Sequence, residues 1–122
     1  MTDATESNNV LIYACSGGSN VAEAADQAAR QLAEEGVGSM FCMAGVGAAI
    51  PSMLGKARNA SRTLILDGCP NNCGRRIAET QNLPHIRHVR ITELGIEKNK
   101  GRATQADIAK VHDAARAALA ED

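Results

Sequence analysis

Val10 to Ala14 forms an unbroken apolar run of strand length, closed by the polar stretch Ser16-Gly17-Gly18-Ser19-Asn20. Such a run, without polar alternation, predicts a strand covered on both faces. From Val21 to Glu35 the period changes. Val21, Ala24, Ala25, Ala28 and Leu32 fall on one helical face, Ser19 or Asn20 supplies the cap, and Gly36 the stop. The same unit then repeats. Ser39 to Cys42 predicts a short second strand, residues 44–49 a glycine-containing loop, and Pro51 opens a helix reaching about residue 60. Thr63 to Asp67 predicts a third strand, Gly68 to Asn72 a turn, and residues 73–81 a helix. Ile86, Val89 and Ile91 mark a fourth strand over 85–91. A basic, polar segment leads to Thr104, which with Asp107 has capping-box spacing before a last helix whose inner face is Ile108, Val111, Ala115, Ala118 and Leu119.

Strands alternating with helices predict a parallel sheet covered on both sides, a small three-layer α/β domain with about four strands. Right-handed crossovers leave the strand orders 2-1-3-4 and 3-2-1-4, of which the first is preferred. The predicted organisation is a polar, disordered leader over residues 1–9 followed by a single α/β domain over residues 10–122.

Composition changes this picture in one respect. Apolar types make up 44% of the 122 residues, but 22 of them are Ala and only one Phe and one Tyr are present, so the predicted core is thin. The uncharged residues 40–55 are broken by Gly and Pro and give no apolar run long enough to span a bilayer. No secretory signal opens the chain, so the expectation is a cytoplasmic protein with reduced thiols. A net charge of −1 and the near absence of aromatics argue against nucleic acid and membrane as partners, and leave any protein partner unassigned.

The thin core makes the four cysteines conspicuous. Cys15, Cys42 and Cys69 are separated by 27 and 27 residues, about one strand–helix unit each, and Cys73 follows four residues later. Each of the first three ends or follows a predicted strand. In a parallel sheet those ends share one edge, with neighbouring strands about 4.8 Å apart, and ligand sites of open α/β sheets lie there. Cys73, one helical turn beyond Cys69, can face the same place. Four converging thiols predict a tetrathiolate zinc site, with zinc–sulfur distances of about 2.3 Å. An iron–sulfur cluster uses the same donors, and four small buried hydrophobes are the unreactive alternative. A bound metal would also reinforce a thin core.

Cys15 to Asn20, Cys42-Met43-Ala44-Gly45-Val46-Gly47 and Asp67-Gly68-Cys69-Pro70-Asn71-Asn72-Cys73, with Leu94-Gly95-Ile96 beyond, resemble the DGC-domain family over about residues 10–98. The family is named for its Asp-Gly-Cys motif, here Asp67 to Cys69. It is regarded as zinc-binding on account of four cysteines, which correspond to Cys15, Cys42, Cys69 and Cys73. The resemblance implies a zinc-binding protein and supplies no biochemical role for the metal, which leaves a metal carrier or sensor open.

Cys69 and Arg75 also match the Cys-x5-Arg loop of cysteine phosphatases and arsenate reductases. That chemistry needs a thiolate, a cradle of free backbone N–H groups and an arginine on the oxyanion. Pro70 removes one N–H beside the nucleophile, and no Ser or Thr follows Arg75. The Ser16 to Asn20 turn could receive phosphate, but without a lysine or a third glycine it reads as a helix cap whose N–H groups could instead face cysteine sulfur. Asp67 could cap the following turn, act as a base, or offer a metal an oxygen. His85, His88 and His112 have no ligand spacing to the cysteines. Seven Lys/Arg against three Glu from Arg75 to Arg102 read as a solvated face or an anion- or partner-docking one.

Overall fold

Strand β1 (Val10–Ala14) lies at the centre of a four-stranded sheet in the order β2-β1-β3-β4, with β2 at Ser39–Met40, β3 at Arg62–Asp67 and β4 at Ile86–Arg90. All three pairings are parallel, and the order is the preferred 2-1-3-4. The computed structural model describes residues 9–121. The predicted leader therefore lies outside the described residues apart from Asn9. That residue is bonded: its amide donates to the Asn59 carbonyl at 3.2 Å, and its carbonyl accepts from the Ser61 N–H at 2.8 Å.

Helix α1 (Asn20–Glu34) links β1 to β2, and two short helices, α2 (Met43–Gly47) and α3 (Pro51–Arg58), link β2 to β3. Helix α4 (Cys73–Thr80) links β3 to β4, and α5 (Gln105–Ala120) follows a 3-10 turn at Ile91–Leu94. The chain steps one way along the sheet from β1 to β2 and the other way from β2 to β3 and β4. Right-handed crossovers in opposite directions place their helices on opposite faces. Accordingly α1 and α5 pack with Val10, Ile12, Leu64 and Leu66 on one face. Residues of α2, α3 and α4 pack with Leu11, Tyr13 and Ile65 on the other. The unbroken apolar strands thus serve two cores, alternate residues going to each.

The many alanines have a packing role. Ala24, Ala25, Ala28 and Ala29 are all completely buried along α1, and their small side chains let the helix lie close to both the sheet and α5. Helix α1 is capped by Ser19, whose hydroxyl accepts from the Ala22 N–H at 3.2 Å, and it ends at Gly36 with φ +80°. Helix α5 carries the expected capping box between Thr104 and Asp107.

Two expectations change. Strand β2 is only two residues long, and Phe41 and Cys42 lie beyond it. The expected loop at 44–49 is largely helix α2, because the Cys42 sulfur accepts the Gly45 N–H at 3.3 Å and takes the place of a hydroxyl cap. Among the described residues no helix is long and apolar enough to cross a membrane.

Candidate functional site

The strand order creates a crevice at the carboxyl ends of β1 and β3, from which the chain departs in opposite directions. Ligand sites of open α/β sheets form at such points. Cys15 leaves β1 there, and its N–H still donates to the Leu66 carbonyl of β3 at 2.9 Å. Cys69 sits half-buried in the turn after β3, and Cys73 is the exposed first residue of α4. Burial pushes the Cys15 thiol pKa up; a hydrogen bond from the Gly68 backbone opposes this, and the charges of Asp67, Cys73 and Cys69 add to the rise. Three of the four cysteines therefore share one electrostatic neighbourhood.

Cys42 follows β2, on the other side of β1, and is exposed. Its sulfur faces Gly45, where an added Cβ would stand 3.5 Å from it and would clash with the Met53 sulfur. None of the four cysteines belongs to either hydrophobic core. Among the described residues, no three His, Cys, Asp or Glu side chains are grouped so as to hold one metal ion. The donor set suits a thiophilic metal, with a backbone N–H donor on the Cys15 sulfur and another on Cys42. Those donors are Gly68 and Gly45, whereas the Ser16 to Asn20 turn caps α1.

The Asp-Gly-Cys segment has a physical explanation in this setting. Asp67, 1% exposed, accepts the Gly74 N–H at 2.8 Å through Oδ1 and the Arg75 N–H at 3.0 Å through Oδ2. Asn72, at the N-cap position of α4, is left-handed and offers no capping side chain, so Asp67 caps the helix from the end of β3. A Cβ on Gly74 would stand 2.8 Å from Asp67 Oδ1, from the Ile65 side chain and from the Met43 methyl group. A Cβ on Gly68 would stand 3.0 Å from Val21, at the start of α1. Aspartate and glycine thus hold α4, with Cys73 at its tip, against the strand end.

The same contacts fill the place an oxyanion would need. The Gly74 and Arg75 N–H groups go to Asp67, and the Arg76 N–H goes to the Asn72 carbonyl at 2.9 Å. The Arg75 guanidinium pairs with Glu79 at 3.0 Å on the outer side of α4. Cys69 and Arg75 keep their sequence spacing without the open cradle of a phosphatase loop.

His88 is the neighbour that sequence reasoning missed. Its Nε2 lies 2.8 Å from Asp67 Oδ2, so the carboxylate joins β4 to the start of α4. The signal was β-strand alternation: Ile65 and Asp67 share a face, and the register pairs Ile65 with His88. Only the register, which the sequence does not display, brings the two together. His112 instead binds Glu35 at 2.8 Å between α5 and the end of α1, and His85 is exposed. The basic segment is tied to the start of α1 by Asn20, which donates to the Glu97 carbonyl at 2.8 Å and accepts from the Asn99 N–H at 2.6 Å.

Residues 11–115 match the DGC domain, a span holding all four cysteines and the Asp67 cap. The chain belongs to the DGC-domain family. A curated relative, the anaerobic and virulence modulator AnvM of Pseudomonas aeruginosa, is 36% identical over 100 residues, covering 82% of this chain and 76% of AnvM. No solved structure matches the chain significantly. In this DGC domain the motif's aspartate is a helix cap and its glycine a packing site and sulfur partner.

Proposed function

We propose that this DGC-domain protein is a metal-binding protein whose four cysteines, Cys15, Cys42, Cys69 and Cys73, take a zinc ion in an exchangeable site. The observation supporting this reading is the placement of Cys15, Cys69 and Cys73 at the β1/β3 crevice, where Cys15 lies in the field of the other two, outside both cores. Zinc binds thiolates without redox change, and four of them around it leave a formal charge of −2. The Gly68 and Gly45 N–H groups offset part of that charge at Cys15 and Cys42. Exposed Cys42 and Cys73 make the site accessible from solvent, which suits a carrier or sensor better than a buried staple. AnvM is named as a modulator, which accords with a binding role.

Elemental analysis with a competitive zinc titration of the purified chain tests this. The expected result is one colourless zinc per chain, protection of thiols from alkylation, and little loss of thermal stability on chelation. Four alkylatable thiols in the presence of excess zinc would overturn the reading. Brown absorbance with bound iron would replace zinc by an iron–sulfur cluster.

A further inference from the structure

Cys15 and Cys73 line a cavity of about 380 Å³ between α2 and α4. Its other walls include Ala14, Met43 and Ile77, and among the described residues no His, Asp or Glu side chain lines it. Met43 reaches over Gly74, its methyl carbon 2.8 Å from where a glycine Cβ would stand. The missing side chain at Gly74 therefore lets a thioether approach the residue beside Cys73. Cys15, Cys73 and Met43 thus line one pocket whose other walls are small or apolar.

Soft sulfur donors of this kind select monovalent copper. Zinc asks for four donors and accepts oxygen or nitrogen, whereas copper(I) is satisfied by two or three sulfurs. One copper(I) on two thiolates leaves a net charge of −1, against −2 for zinc on four, a smaller cost in an apolar slot. We infer that Cys15, Cys73 and Met43 form a copper(I) site, the thioether sulfur of Met43 completing the two thiolates. The inference rests on the reading that these cysteines hold metal, and it names a second ion for part of the same edge.

Anaerobic titration of the full chain with copper(I) against a chromogenic copper(I) chelator tests it, with zinc titrated in parallel. The comparison uses the wild type, Met43→Leu, Cys73→Ser and, as a control, Met53→Leu. The expected result is one copper(I) per chain. Cys73→Ser should abolish it, Met43→Leu should weaken it by roughly tenfold, the lower end of what lost supporting contacts cost metal sites, and Met53→Leu should leave it unchanged. Met43→Leu should leave zinc affinity unchanged, and its near-equal volume keeps the fold, which circular dichroism verifies. Zinc binding without copper(I) binding would overturn the inference and leave the zinc reading standing. Copper(I) binding insensitive to Met43→Leu would overturn it as well. Copper(I) binding with this mutational pattern but no zinc binding would support it and remove the zinc reading.

Discussion

The two faces of the sheet are built to different standards. One carries α1 and α5, 15 and 16 residues long, each capped by a side chain at its N-terminus, over a core reaching from Val10 to Leu119. The other carries helices of 5, 8 and 8 residues, the last capped only from a distance by Asp67, over a smaller core. It also exposes Ile50 and holds Ala49 at φ +60°. Cys42 and Cys73 open helices on this second face. Long helices and buried alanines hold the domain, while short helices present the thiols at their N-termini. Stability and chemistry are therefore divided between faces, so each face should respond to different substitutions.

The sharpest way to break this division is Leu64→Ala, at a fully buried position facing α1 and α5. It should cost about 3 kcal/mol in urea unfolding. A loss below about 1 kcal/mol would show that this face does not dominate. Asp67→Ala should cost about 2 kcal/mol, because the Gly74 and Arg75 N–H groups and His88 lose their common partner. Its distinguishing mark is faster alkylation of Cys73 at the loosened tip of α4, compared with wild type under native conditions.

Tyr13→Phe should move stability the other way. Among the described residues the buried Tyr13 hydroxyl has no hydrogen-bond partner, and desolvation pushes its pKa up to about 12. Removing it should leave the edge-on contact with Phe41, centroids 6.0 Å apart, and gain up to about 1 kcal/mol. Loss of stability in thermal unfolding would mean that the hydroxyl has a partner. Single serine substitutions at Cys42 and Cys73 should change stability by less than about 0.5 kcal/mol, since both residues are exposed and outside the cores.

The smallest effect is a pH dependence on the long-helix face. Hydrogen bonds to Glu35 and then to Asp113 raise the His112 pKa above its ordinary 6.5. A raised folded-state pKa means that the stabilisation is fully present below pH about 6.5 and is lost as pH rises through the folded value. Unfolding midpoints should fall slightly over that interval, and His112→Asn should remove the slope. An unchanged slope in the variant would assign it to other groups.

Much of the architecture was legible in the chain. Unbroken runs at β1 and β3, the helical periods of α1 and α5, and the capping residues Ser19 and Thr104 are local signals, because backbone propensity and burial act over a few residues. The short α2 was not, since its cap is a cysteine sulfur outside the usual capping set. The spacing of the cysteines placed them at strand ends, and the strand order set Cys15 beside the Cys69–Cys73 segment.

The sequence by itself determined which segments become strands and helices, that the sheet is parallel, and that the thiols stand at its carboxyl edge. Only the tertiary structure decided which thiols lie nearest Cys15, that Asp67 caps α4 from another element, and that His88 reaches it. It also decided that Met43 covers Gly74. Periodicity is a one-dimensional property, whereas these contacts depend on strand register and on close approaches that glycine permits, and both arise only when separate segments pack together.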